Sequence, residues 1–268
     1  MKIQIDYKSV CLEALQAARD AGNFIFERIN SISRKSIESK GRQNFVTEMD
    51  KAAEVMIIER LQSVVSGAGF IAEEGTSSEK GDYYNWIIDP LDGTTNFIHG
   101  APPVAVSIAL AEDGVPVVGV VYEIFLKEAF YAWKGSAAYL NGKEIHVSEA
   151  VQVKDMLIAT GFPYHNFDRI DGFMGTINHF FCNSHGVRRM GSAATDLAYV
   201  ACGRYDGFYE YNLNPWDVAA GALIILQAGG LVSDFRGSKD YIFGREIVAS
   251  NKLAHTEFLR DVGQFMNQ

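Results

Sequence analysis

A layered α/β (α+β) fold is predicted, because three kinds of periodicity follow one another along the chain. Apolar residues recur at helical spacing near the N-terminus, a β-rich stretch with hairpin turn signals fills the middle, and the remainder alternates strand-like with helix-like segments.

Val10, Leu12, Ala14, Leu15, Ala18, Ala21, Ile25 and Ile29 make a broad helical face. A polar stretch from Ser31 to Asn44, containing Gly41, interrupts it, and helical spacing resumes through Ala53, Met56, Ile57, Leu61 and Val64 before Gly67 and Gly69. Trp86-Ile87-Ile88-Asp89, closed by Pro90, reads as a buried strand. Val104–Leu110 and Val117–Tyr122 are strand-like, with Glu112-Asp113-Gly114 as the turn between them. Glu128–Ala132 and Ala138–Leu140 continue the pattern up to a second turn signal, Asn141-Gly142. Strands are then expected near Met156–Thr160, His185–Arg188, Asp206–Tyr211, Leu231–Asp234 and Ile247–Ser250, and helices over 168–182, 193–202, 215–228 and 252–265.

The 268 residues suffice for one large domain or two closely packed halves with a sizeable core. A formal net charge of −9 opposes non-specific binding to nucleic acid. Cys11, Cys182 and Cys202 are too few and scattered for a disulfide framework or zinc site and are read as small buried residues. The N-terminus lacks the apolar segment of a signal peptide, and no apolar run is long enough to span a bilayer. A cytoplasmic location without a membrane partner is expected.

Chemistry concentrates in Asp89-Pro90-Leu91-Asp92-Gly93-Thr94-Thr95-Asn96-Phe97. A buried strand delivers Asp89 to its end and the turn holds Asp92 nearby. Two carboxylates so placed repel, and one must keep a proton unless a cation neutralises them. Magnesium, a hard cation with oxygen ligands, meets that need. Gly93 allows close backbone approach, and Thr94 and Thr95 open a helix whose free N–H groups suit a phosphate.

Other acids admit two readings each. Glu73-Glu74 are either solvated loop acids or strand-end carboxylates reaching the same metals. Thr47 to Asp50 fits an N-cap pattern, though a capping acid can also orient a water. Asn214-Pro215-Trp216-Asp217 is a helix start whose Asp217 could close a metal site. Ser192 reads as an N-cap, Gly229-Gly230 as a helix stop, and Arg188 and Arg189 as a solvated pair or a phosphate-steering one. The histidines lack ligand spacing and are read as non-ligands.

Taken together, Asp89 to Phe97, Trp216-Asp217 to Gly221 with Ala228-Gly229-Gly230, Phe70 to Glu74, and Val46 to Asp50 resemble the motifs of the inositol monophosphatase family, over roughly residues 8 to 265. The resemblance implies a layered αβαβα sandwich of the sugar-phosphatase type, with residues 1–268 as a single domain (halves about 1–150 and 151–268) that forms a homodimer. It implies two to three Mg²⁺ ions. Glu73, Asp89 and the Leu91 carbonyl would hold one, Asp89, Asp92 and Asp217 a second, with Glu73 assisting a third through water. Asp50, Thr94 and Glu73 would be catalytic, Thr94 with Asp50 orienting the attacking water. Gly93 and Thr94 would bind phosphate through backbone N–H groups. Ala193, Glu210 and Asp92 would contact hydroxyls of the alcohol portion, and Asp217 would also bind substrate. In-line hydrolysis of a phosphate monoester, with inositol monophosphate first, and inhibition by lithium are implied by the same resemblance. Leu91, Asn44 and Ser192 depart from commoner Ile, Asp and Thr.

Three alternatives accompany this reading. Fructose 1,6-bisphosphate, 3′-phosphoadenosine 5′-phosphate, histidinol phosphate and NADP are substrates of relatives. Haloacid-dehalogenase-type phosphatases also use paired Asp, but two residues apart, where Asp89 and Asp92 are three apart. A non-catalytic role on RNA or the transcription machinery is the third, although the acidic balance makes nucleic acid an unexpected partner.

Overall fold

The computed structural model describes residues 5–31, 42–77, 80–163 and 167–267. Two sheets carry the fold. The first runs in the order β1 (Gly69–Ala72), β2 (Tyr84–Asp92), β3 (Ala105–Glu112), β4 (Val115–Glu123), β5 (Glu128–Trp133), β6 (Ala138–Leu140) and β7 (Lys143–Ile145). β1 pairs parallel with β2 and the rest pair antiparallel. The second sheet is ordered β11 (Leu231–Ser233), β12 (Glu246–Ser250), β10 (Gly207–Tyr211), β8 (Leu157–Thr160) and β9 (Gly186–Arg188). Its β8 is parallel to β9 and β10, while β12 is antiparallel to its neighbours.

Strand alternation sorts side chains into separate cores. On the outer face of the first sheet, Trp86, Ile88, Val106, Ile108, Leu110, Val118 and Val120 join the apolar stripes of α1 (Tyr7–Ser31) and α2 (Arg42–Leu61). The inner face presents Ile87, Ala105, Ala109, Ala111 and Val121 to α5 (Ala193–Ala201) and α6 (Pro215–Gln227), which also meet the second sheet. Beyond that sheet, α4 (Ile170–Asn183) and α7 (His255–Met266) enclose Phe173, Phe180, Tyr209, Phe258 and Val262. The result is the expected αβαβα layering. The middle layer packs closely on glycine: a Cβ on Gly119 of β4 would lie 2.7 Å from the Ala220 carbonyl, and one on Gly221 would lie 2.5 Å from the side chain of Leu197.

The hairpin signals hold for a physical reason. Asp113 and Gly114, and likewise Asn141 and Gly142, all have positive φ, as the tight turns that join right-twisted strands require. Other expectations need correction. α2 starts at Arg42, so Thr47 is inside the helix and not its N-cap, and the side chains of Asn44 and Thr47 lie outside the described residues. Beyond the Asn141-Gly142 turn the chain forms a further strand, β7, whose Lys143 and Glu144 are exposed on a sheet edge. α7 starts at His255, three residues later than expected. Cys182 is exposed, because it sits in the last turn of α4 on the face away from the sheet; Cys11 is buried. Among the described residues no helix is long and apolar enough to cross a membrane.

Candidate active site

A cavity of about 520 Å³ opens where the C-terminal end of β2 meets the starts of α5 and α6. Of the residues that the family resemblance assigns to the site, all but Asp50 line it: Glu73, Asp89, Leu91, Asp92, Gly93, Thr94, Ala193, Glu210 and Asp217 are at its wall.

Each arrives by its own local chemistry. Asp89 and Asp92 end β2, where the pairing with β3 breaks register between them. Asp89 Oδ1 accepts the Leu91 N–H (2.9 Å), which folds the turn, and the Thr94 hydroxyl donates to the Leu91 carbonyl (3.2 Å). Gly93 has φ 96°, and a Cβ there would stand 2.9 Å from the Pro103 carbonyl, so only glycine fits. α3 (Thr94–His99) comes next, and the Asn96 amide fastens it by donating to the carbonyls of Pro103 and Met190 (2.9 and 2.8 Å). Ser192 caps α5 by accepting the Thr195 N–H and donates its own hydroxyl to Asp92 Oδ2 (2.6 Å), which also accepts the Ala194 N–H (2.7 Å). At α6, the Asn214 N–H donates to Asp217 Oδ2 (2.6 Å), with Pro215 at the first helical position. Both acids therefore cap helices and also face the cavity. Glu210, on β10, packs against the bare backbone of Gly161, where a Cβ would overlap its carboxylate at 2.0 Å.

The sequence readings divide accordingly. Glu73 reaches the cavity and Glu74 does not; Arg189 lines it while Arg188 is exposed. Asp50 sits behind the wall on α2, buried, its Oδ1 without a hydrogen-bond partner among the described residues, and its pKa is raised by burial first and then by the charges of Glu74 and Glu73. Sequence reasoning misses several lining residues, Asp196, Phe162 and Arg245 among them. Asp196 is one turn into α5 and wholly buried, and Phe162 and Arg245 come from loops; the Arg189 guanidinium lies 5.1 Å over the Phe162 ring. Only the acid that comes shortly after the Ser192 cap could have pointed to Asp196.

Electrostatics tests what the acids fit. One carboxylate oxygen each from Asp89, Asp92 and Asp217 lies within 4.8 Å of the others. Burial, then neighbouring acids, push Asp217 up to about 8 and Asp50 to about 8. Asp89 is raised well above the carboxylate range by burial and by Glu73, Asp92 and Asp217. Asp92 rises only to about 6, because its Ser192 and backbone hydrogen bonds oppose burial. Glu73 shares a hydrogen bond with Asp89 and is pushed up to about 7 by burial, yet it is open to solvent at the rim, which screens that shift. Carboxyls that hydrogen-bond to one another must hold a proton between them. A divalent cation replaces that proton and removes the repulsion, and an all-oxygen donor set is what a hard cation selects. The residues fit a metal of the magnesium class.

The sequence signature of the inositol monophosphatase family matches residues 6–266. The chain belongs to that family. Among its relatives, Nus factor SuhB of Pseudomonas aeruginosa is 44% identical over 243 residues, covering 89% of this chain and 90% of the relative. Inositol-1-monophosphatase of Mesorhizobium japonicum is 39% identical over 249 residues, covering 92% and 94%. The solved inositol monophosphatase from Anabaena (Nostoc) superposes with a TM-score of 0.84 at 35% identity, covering 96% of each chain. Inositol monophosphatase family membership supports a phosphatase hydrolase with a metal-dependent site and sets aside the haloacid-dehalogenase alternative.

Proposed function

We propose that the protein hydrolyses inositol monophosphate to inositol and inorganic phosphate with Mg²⁺ as cofactor. The observation that carries this is the convergence of Asp89, Asp92, Asp217 and Glu73 in one cavity that Glu210 also lines. Glu73, Asp89 and the Leu91 carbonyl would hold one ion, and Asp89, Asp92 and Asp217 a second, with room for a third assisted by Glu73. When bound, Mg²⁺ supplies charge neutralisation and Lewis acidity toward water and phosphoryl oxygens.

The chain's own groups do the rest. The N–H groups of Gly93 and Thr94, at the start of α3 where intrahelical acceptors are lacking, hold phosphate oxygens. The Thr94 hydroxyl, at the cavity wall, orients the attacking water, and Asp50, buried behind that wall with an Oδ1 that has no partner among the described residues, assists from there without touching it. Ala193, Glu210, Asp92 and Asp217 face the alcohol, and Glu210, seated against Gly161, offers acceptors for ring hydroxyls. Inhibition by lithium and assembly as a homodimer belong to the same proposal.

The test is a panel of phosphate esters with Mg²⁺: inositol monophosphate, fructose 1,6-bisphosphate, 3′-phosphoadenosine 5′-phosphate, histidinol phosphate and NADP. The highest kcat/KM is expected for inositol monophosphate, and a tenfold preference for any other ester would overturn the substrate assignment. A second reading rests on the relatives named Nus factor SuhB, such as that of Pseudomonas aeruginosa. It gives this chain an additional role in a transcription complex. With a net charge of −9, protein contacts or a local basic surface would have to carry it. Co-purification with RNA polymerase that persists in Asp89→Asn would support that role, and loss of all such association in the wild type would remove it.

A further inference from the structure

Glu54 is a buried acid that the proposed reaction leaves unused. On α2, Met49, Ala53, Ile57 and Leu61 recur every four residues and pack into the outer core. Asp50 and Glu54, one position round the helix, form a second row on the side of the catalytic acids. Glu54 is 0% exposed, and no cation lies within ion-pair distance of it among the described residues. Its two oxygens are instead saturated by one short segment. Oε2 accepts the Glu74 N–H (2.8 Å), and Oε1 accepts both the Thr76 N–H (2.8 Å) and the Thr76 hydroxyl (2.6 Å).

That segment is the turn after β1 that presents Glu73. On its other side the Glu73 N–H donates to the Ile88 carbonyl (3.2 Å), one residue before Asp89. Glu73 is thus pinned from both flanks, by the β2 backbone before it and by Glu54 after it. Sealing a carboxyl side chain in the interior is costly unless its oxygens are fully hydrogen-bonded. Nothing in the packing of α2 needs an acid at this position, since the adjacent row already anchors the helix.

We infer that Glu54 is a positioning residue: it fixes the turn that aims Glu73 into the cavity and thereby sets the affinity of the site for its divalent cation. This rests on the reading that Glu73 is a metal ligand. The chemistry of the amide shows how the device would fail. In Glu54→Gln the oxygen can keep the two Thr76 contacts, but the NH₂ group then faces the Glu74 N–H, donor against donor. The contact nearest Glu73 is the one lost.

The experiment is calorimetric titration of metal-free protein with Mg²⁺, alongside thermal unfolding without metal. Glu54→Gln is expected to weaken Mg²⁺ binding about tenfold, as loss of a group that orients a ligand does. Thr76→Val, which removes only the hydroxyl contact, should weaken it less and keeps the question open to measurement if Glu54→Gln folds poorly. In a Glu73→Gln background, Glu54→Gln should add no further loss of affinity. Unchanged Mg²⁺ affinity in both Glu54→Gln and Thr76→Val, with a lowered melting temperature, would make Glu54 merely structural and overturn the inference. Unchanged affinity in Glu73→Gln would instead refute the ligand role of Glu73 on which it rests.

Discussion

Replacing Asp217 by Asn should stabilise the metal-free protein while abolishing its response to Mg²⁺. The substitution is nearly isosteric, and the amide oxygen can still accept the Asn214 N–H that Asp217 Oδ2 accepts at 2.6 Å, so the cap of α6 survives. What disappears is charge. Two carboxylates at the 4.8 Å limit of this cluster repel by about 3.5 kcal/mol at an effective dielectric of about 20, and Asp217 faces both Asp89 and Asp92. Because burial and Asp92 push Asp217 up to about 8, it is mostly protonated near neutrality, which trades most of that repulsion for the cost of holding a proton well above the ordinary carboxylate range. A net gain of about 2–4 kcal/mol remains, or about 5–10 °C in melting temperature for a chain of this size. Thermal unfolding in EDTA and in Mg²⁺ measures both effects. The wild type should gain stability from Mg²⁺; the variant should start higher in EDTA and gain little. A variant no more stable than wild type in EDTA, and still stabilised by Mg²⁺, would refute the reasoning.

Other outcomes rest on the same geometry. Asp89→Asn should lose turnover by more than a hundredfold with the fold intact, measured as phosphate release beside circular dichroism. The metal-free protein should become less stable as pH rises. Groups raised in the folded state, such as Asp50 and Asp217 at about 8, contribute stability that is full below the ordinary carboxylate pKa near 4 and is lost as pH climbs through 8. The Mg²⁺-induced rise in melting temperature should therefore be larger at pH 8 than at pH 5, and equal rises would contradict the shared-proton picture. Gly161→Ala should displace Glu210 and raise KM for inositol monophosphate about tenfold, as loss of one substrate hydrogen bond does. It should leave hydrolysis of a phosphate ester without ring hydroxyls nearly unchanged; equal losses on both would remove Glu210 from hydroxyl recognition.

Much of this is legible in the sequence wherever local chemistry dictates structure. Asp-Gly and Asn-Gly turns, the Ser192 and Asn214 caps and the run into Asp89 announce themselves because backbone geometry admits few residues there. The layering is written in the strand and helix periods. Legibility ends where tertiary contact decides. The first turns of α2 carry no continuous apolar stripe, so its start at Arg42 is invisible. Lys143 and Glu144 carry no strand signal because an edge strand need bury neither face. Glu54 looks like any solvated helical acid until the turn at Glu74–Thr76 closes over it. Asp196, Phe162 and Arg245 reach the cavity only because distant elements fold around it.

Phosphate release from inositol monophosphate, monitored as free Mg²⁺ is raised from excess EDTA, tests the central claim most directly. The account predicts no turnover in EDTA, a saturating rise with Mg²⁺, and a flat line for Asp89→Asn at every concentration. Undiminished hydrolysis by the wild type in EDTA would contradict it.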